Sequence, residues 1–196
     1  YVGRLELAFD AAGNLVEIGA DSGMNRVAGG DNPDAVLPDP AVQARVVDPV
    51  IAALQAQASN IVYASDVGLD GQRPNIRRVE TNLGNLIADA FLWIANDRAA
   101  SFGLGPVDIA LSNGGGIRND SIIPAGDVSE LTNFGVLPFG NFLSVVPGVP
   151  AEQFKEIMEN AVSRIESTNG RYAQLAGFRM VIDLNETAQI LDASGN

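Results

Sequence analysis

The chain has 196 residues, 46% hydrophobic and 18% charged, with a formal net charge of −12 and neither cysteine nor histidine. Without those two residue types there are no disulfides or thiolate sites, and none of the imidazole on which most catalytic transition-metal centres and acid–base devices rest. The acidic balance argues against a general affinity for nucleic acid or anionic membranes, and no apolar run approaches the roughly 18 residues of a membrane span.

The length suits one domain, or one domain plus a piece of another. The opening YVGRLELAFD has neither an initiator methionine nor a signal-peptide pattern, so a processed protein or an excised fragment is expected. By itself the chain is a poor candidate for a metallohydrolase or a triad enzyme. A carboxylate-only Mg²⁺ or Ca²⁺ site stays open, but no residue is assigned to a metal. Of the twelve basic residues, eleven are arginine and Lys155 is the exception. Arginine suits bidentate recognition of phosphate or carboxylate, and in so acidic a chain any basic site must be local.

In chain order, Gly3 to Asp10 alternates and Leu15 to Ile18 resumes after a Gly-Asn turn, which predicts a β-hairpin. Residues 20–38 are rich in Gly, Asp, Asn and Pro and read as a linker. Asp39-Pro40 is a helix start, with an acceptor at the N-cap and proline at the first helical position. That helix runs to about Gln57, with a kink or break near Asp48 imposed by Pro49. Ile61 to Val67 is a predicted strand. Residues 73–98 hold the clearest helix, capped by Thr81 or Asn82, with Leu83, Leu86, Ile87, Ala90, Phe91 and Ile94 on one apolar face.

Val107 to Leu111 is a short β-rich run that breaks into Ser112-Asn113 and three glycines, then Ile117-Arg118. Three glycines in a row forfeit about 1 kcal/mol each relative to alanine in regular structure. That cost fits backbone passing close to something or taking φ > 0. Exposed amides beside a guanidinium would seat an anion; a Gly-rich turn with a surface arginine fits the same pattern. Arg77 and Arg78 lie just before the helix start, where the helix dipole also favours an anion, although two solvated loop arginines would look the same. Val128 to Phe134 is a predicted short helix capped by Asp127. Phe139, held between Pro138 and Gly140, should project from a turn next to Asn141, unless it tucks back into the core. Strands are expected at Phe142–Val146 and Phe178–Leu184, a helix at Pro150–Ile165, and a loop at Gly170–Gly177.

Taken in this order, ETNLGNLIADA (80–90), LSNGGGIR (111–118), Gly126-Asp127, VLPFGN (136–141) and GRYAQLAGFRM (170–180) resemble the C-terminal domain of the 5′-nucleotidase family, over roughly residues 73–184. The resemblance implies an α+β domain of mixed β-sheet with flanking helices. Residues 1–19 would be the terminal hairpin of a preceding metallophosphoesterase domain, 20–58 a linker and linker helix, and 59–196 the C-terminal-like domain, incomplete at its end.

By the same resemblance, Arg77 and Arg118 would contact the phosphate of a nucleotide. Asn113 and the backbone at Gly115 and Gly116 would contact phosphate or ribose. Phe139 would stack on the base, and Asn141 would hydrogen-bond its edge. Two divalent metal ions are implied for the N-terminal domain, with no cofactor bound by this chain. Periplasmic, cell-surface or secreted location is implied too. The His-bearing metal motifs of the family are missing, as are its second stacking Phe and its GGDGY-type segment. Weak nucleotide binding and no hydrolysis by the chain alone are therefore expected. Cyclic nucleotides, nucleotide sugars or a sulfur-bearing anion as substrates, or a non-catalytic binding or adhesion module, remain as alternatives.

Overall fold

The computed structural model describes residues 1–186, which fall into two compact units divided between Ala53 and Leu54. In the first unit, β1 (Val2–Arg4) pairs antiparallel with β4 (Gly23–Asn25), and β2 (Leu7–Phe9) with β3 (Leu15–Ile18). The second pair is the expected hairpin. Its turn is held by the Asp10 carboxylate, which accepts from the amides of Ala12 and Asn14, both at 2.9 Å, and by Gly13 at φ +83°. These bonds, first among them the one from the Asn14 side chain, hold the Asp10 carboxyl below its ordinary value. The stretch expected as a plain linker instead supplies β4, because Gly23-Met24-Asn25 finds the edge of β1, a partner some twenty residues back that local composition does not disclose.

Asp39 caps α1 (Pro40–Val42) as expected, its Oδ1 accepting from the amides of Ala41 and Val42 at 2.8 and 3.1 Å. A π-helical stretch, Gln43–Val47, then leads into α2 (Asp48–Ser59). The irregularity lies one turn before Pro49. A proline has no N–H to offer the carbonyl four residues earlier and crowds it.

The second unit carries three antiparallel ladders: β5 (Ile61–Ser65) with β9 (Gly126–Ser129), β6 (Leu69–Asp70) with β8 (Ile122–Ile123), and β7 (Ala110–Asn113) with β10 (Ala173–Ala176). Its helices are α3 (Arg73–Ile76), α4 (Asn82–Ala99), α5 (Glu130–Val136) and α6 (Ala151–Val162). This is the α+β architecture that the sequence implies. The described strands form short antiparallel ladders rather than one continuous mixed sheet. Leu69, Ile76, Leu83, Ile87, Ile117, Ile123, Val128 and Val136 make the core, with Tyr63, Phe91 and Leu137 packed against it. Each such side chain contributes about 1.5–3 kcal/mol by leaving water.

α4 begins at Thr81, whose Oγ1 accepts from the Gly84 amide at 3.1 Å. It packs on β7 and β10 through small residues, Gly84, Ala88, Ala95 and Ala99, along with Leu83 and Ile87. Leu86 and Ala90, expected on the buried face, are exposed.

Four expectations change in the second half. Residues 126–129 extend as β9, and α5 starts only afterwards, capped by Ser129 accepting from the Thr132 amide. Residues 142–146 and 178–184 join no described ladder; Phe142 and Val181 are 94% and 97% exposed. The segment expected as a loop, 170–177, instead supplies β10. Phe178 packs edge-on against Phe154 of α6, ring centroids 5.1 Å apart.

Candidate functional site

The site grows from two segments that meet. α3 is a single turn with Pro74 inside it. Its Ile76 is fully buried, so Arg77, which caps it at φ −107° and ψ 8°, leaves the core edge half-buried. β7 ends at Asn113, and Gly114–Gly116 form a 3₁₀ turn laid directly over that cap. A Cβ on Gly114 would stand 2.2 Å from the Ile76 carbonyl oxygen, and one on Gly115 would stand 3.0 Å from Gly170 Cα. None of the three has a positive φ. The glycines are there for close approach, not for left-handed backbone.

That packing also takes up two of the amides expected to be free here. The Gly114 N–H donates to the Tyr172 carbonyl at 2.7 Å, and the Gly115 N–H to the Gly170 carbonyl at 2.8 Å. The reason lies 55 to 58 residues away: the turn into β10 aims its carbonyls at the glycines. What Gly114 and Gly115 leave to a ligand is therefore the side chains beside them. Asn113 lies alongside the turn, its Nδ2 donating to the Gly170 carbonyl at 3.2 Å and its Oδ1 next to Gly116.

Arg118 is fixed at its backbone, whose N–H donates to the Val136 carbonyl at 2.9 Å. Its Nη1 donates to the Gly115 carbonyl at 3.2 Å, and its guanidinium carbon lies 5.6 Å from the centroid of the Phe139 ring. That is cation–π range. Phe139 projects from its turn with half its surface exposed, and the Asn141 amide donates to the Phe139 carbonyl at 2.9 Å. Arg77, Gly115, Gly116, Asn113, Arg118 and Phe139 thus form one connected group. Asn141 joins it through backbone alone; among the described residues no hydrogen bond holds its side chain.

The electrostatics centre on Arg77. Burial first, then the like charges of Arg73 and Arg118, hold its guanidinium below the ordinary arginine value, while Asp120 opposes them. Its Nε is buried, and no acceptor among the described residues lies within hydrogen-bond reach. Such a donor is costly to leave unpaired. Asp120 is already engaged: at φ +46° it accepts from the Arg73 amide at 2.8 Å and faces Arg73 Nε at 3.5 Å. Arg73 is the site neighbour that the sequence reading passed over. The signal was there in RPNIR, where Arg73 and Arg77 are four residues apart and so share a helical face. Arg78 is exposed and takes part in none of these contacts. Among the described residues no three carboxylates cluster closely enough to hold a metal.

Comparison with known proteins gives a consistent picture. The family model described as "5′-nucleotidase, C-terminal domain" matches residues 55–192. The trifunctional nucleotide phosphoesterase protein YfkN of Bacillus subtilis is 34% identical over 94% of this chain, which spans 12% of that protein. A snake venom 5′-nucleotidase of Macrovipera lebetinus is 31% identical over 95% of the chain, which spans 44% of it. The crystal structure of a 5′-nucleotidase precursor from Thermus thermophilus superposes with a TM-score of 0.60 at 30% identity, over 94% of this chain and 33% of that one. The chain thus spans less than half the length of each of these relatives.

Proposed function

Because the chain belongs to the 5′-nucleotidase family and carries that family's C-terminal domain over residues 55–192, we propose that it is the nucleotide-binding part of a phosphohydrolase acting on nucleotide phosphomonoesters. The observation that carries this reading is the Arg77 guanidinium. It is half-buried, flanked by Arg73 and Arg118, and its Nε lacks an acceptor among the described residues. A phosphate supplies opposite charge where Arg73, Arg77 and Arg118 repel one another, and acceptors that neighbouring guanidiniums can share.

Phe139 gives the base a face to stack on, and Arg118 lies 5.6 Å from the centroid of its ring, so phosphate and base sites meet at one side chain. Asn113, beside the glycine turn, is placed for the ribose or a phosphate oxygen, and Asn141 for the base edge. Two divalent ions on an N-terminal metallophosphoesterase domain would supply an activated water and charge for the phosphoryl oxygens. The described residues offer no donor cluster for such ions, so this chain's share is to orient the substrate. Residues 1–19, 20–58 and 59–196 are proposed as the end of that domain, a linker and the binding domain. The venom relative supports a location outside the cytoplasm: periplasmic, cell-surface or secreted. The trifunctional relative makes cyclic nucleotides the first alternative substrates to try.

Calorimetric titration of Arg77→Ala with AMP and with adenosine tests the reading. AMP affinity is expected to fall about tenfold or more, the size of a lost charge-assisted hydrogen bond, while adenosine affinity stays unchanged. Equal losses for both ligands overturn the phosphate role.

A further inference from the structure

Among the described residues the polar side chain buried most completely is Gln174, in the middle of β10 and 1% exposed. Both amide hydrogens and the carbonyl oxygen have partners, and all point to one segment. Its Nε2 donates to the carbonyls of Ile76 at 3.0 Å and Val79 at 2.8 Å, and its Oε1 accepts from the Thr81 amide at 3.3 Å. Those three partners bracket Arg77. The Ile76 carbonyl is also the atom over which Gly114 is laid.

β10 is at the same time laddered to β7, with Gln174 opposite Ser112, one residue before the Asn-Gly-Gly-Gly turn that leads to Arg118. A single amide therefore ties the segment carrying Arg77 to the ladder that delivers Arg118. Space for that amide comes from Gly84, the only one of α4's buried residues without a side chain: a Cβ there would stand 2.2 Å from Gln174 Oε1.

We infer that Gln174 is a positioning residue for the phosphate site, setting the Arg77 guanidinium relative to Arg118 by holding the 76–81 segment. The inference rests on the proposed nucleotide-binding reading. A buried network with every partner satisfied fixes one backbone arrangement, whereas an apolar side chain of equal size fills the space without fixing it. Anion recognition by two guanidiniums depends on their spacing, so a small drift of Arg77 removes bidentate geometry while leaving the fold in place.

The experiment uses the full chain with Gln174→Met, which keeps the volume and removes the three bonds, and independently with Gly84→Ala, which displaces the amide and leaves Gln174 in the sequence. Each is titrated with AMP, adenosine and inorganic phosphate. About tenfold loss for AMP and phosphate, with adenosine within twofold, supports positioning. An unchanged AMP-to-adenosine ratio in a variant that melts cooperatively overturns it.

Hydrogen exchange of the unaltered chain supplies a readout that does not depend on the variants folding. Saturating AMP should protect the Thr81 amide and its neighbours at 76–81 more than saturating adenosine does. Equal protection by the two ligands overturns the inference. If the unaltered chain itself does not prefer AMP to adenosine, the nucleotide-phosphate reading has failed, and Gln174 positioning falls with it. If it does prefer AMP and only the variants and the exchange pattern go the wrong way, the reading stands and the inference alone is lost.

Discussion

At the scale of single residues the site is built from groups that are individually ordinary and collectively frustrated. Arg77 and Arg118 repel one another, Asp120 is spent on Arg73, and the Arg77 Nε has no acceptor among the described residues. Phe139 is the complementary case, an aromatic face left half-exposed under a guanidinium. Replacing it by alanine should weaken AMP and adenosine together, by about 1–3 kcal/mol in each case, the usual worth of base stacking on an aromatic side chain. Inorganic phosphate should bind the variant as before. Competition titrations with all three ligands check this, and a loss confined to AMP would place the ring on the phosphate side instead.

At the scale of elements, the sequence disclosed what is encoded locally. Pro40 and Asp39 mark a helix start by their own chemistry, Thr81 caps α4 through a bond to the Gly84 amide three residues on, and Leu83 and Ile87 declare the buried face. Arg77, Arg118 and Phe139 were visible because motif order placed them, and the structure brings them together. What was hidden depends on distant partners. β10 reads as a loop because its strand character comes from β7, about sixty residues earlier, and because its central residue, Gln174, is polar. The apolar runs at 142–146 and 178–184 read as strands because pattern alone cannot report that no ladder takes them up. The purpose of the three glycines is half legible: the sequence leaves close approach and positive φ both open, and the capture of the Gly114 and Gly115 amides by the Tyr172 and Gly170 carbonyls depends on a partner 55 to 58 residues away.

The β2–β3 turn makes a prediction at this scale. The Asp10 carboxyl titrates below its ordinary 3.8 in the folded chain. Its contribution to the turn is therefore present above that ordinary value and is lost as pH falls through the lower, folded one. Amide chemical shifts of Ala12 and Asn14 should move together in that acid range and hold still from about pH 5 upward. Independent movement of the two would show that the carboxylate does not organise the turn.

At the scale of the molecule, every proposed ligand contact lies between residues 77 and 141, inside the unit Leu54–Asn196, which has its own core. A fragment of residues 54–196 should thus melt in one cooperative transition and keep the AMP-to-adenosine preference of the full chain. Calorimetry and titration on the two proteins side by side check it. A fragment that melts without cooperativity would make the first unit part of the fold rather than an attachment to it. The net charge of −12 gives the arginine group its contrast: local positive charge in an acidic chain selects a compact anion over an extended polyanion, whose length would meet repulsion beyond the site.

The contact between Gly84 and Gln174 also has a genetic reading. A Cβ at position 84 would claim the volume that the amide at position 174 fills, so the two codons, ninety positions apart, behave as a single locus. Starting from Gly84→Ala, a screen for folded protein should return second changes at 174 to smaller residues, which relieve the clash. A screen for preference of AMP over adenosine should return reversion at 84, because only that change restores the amide as well as the space.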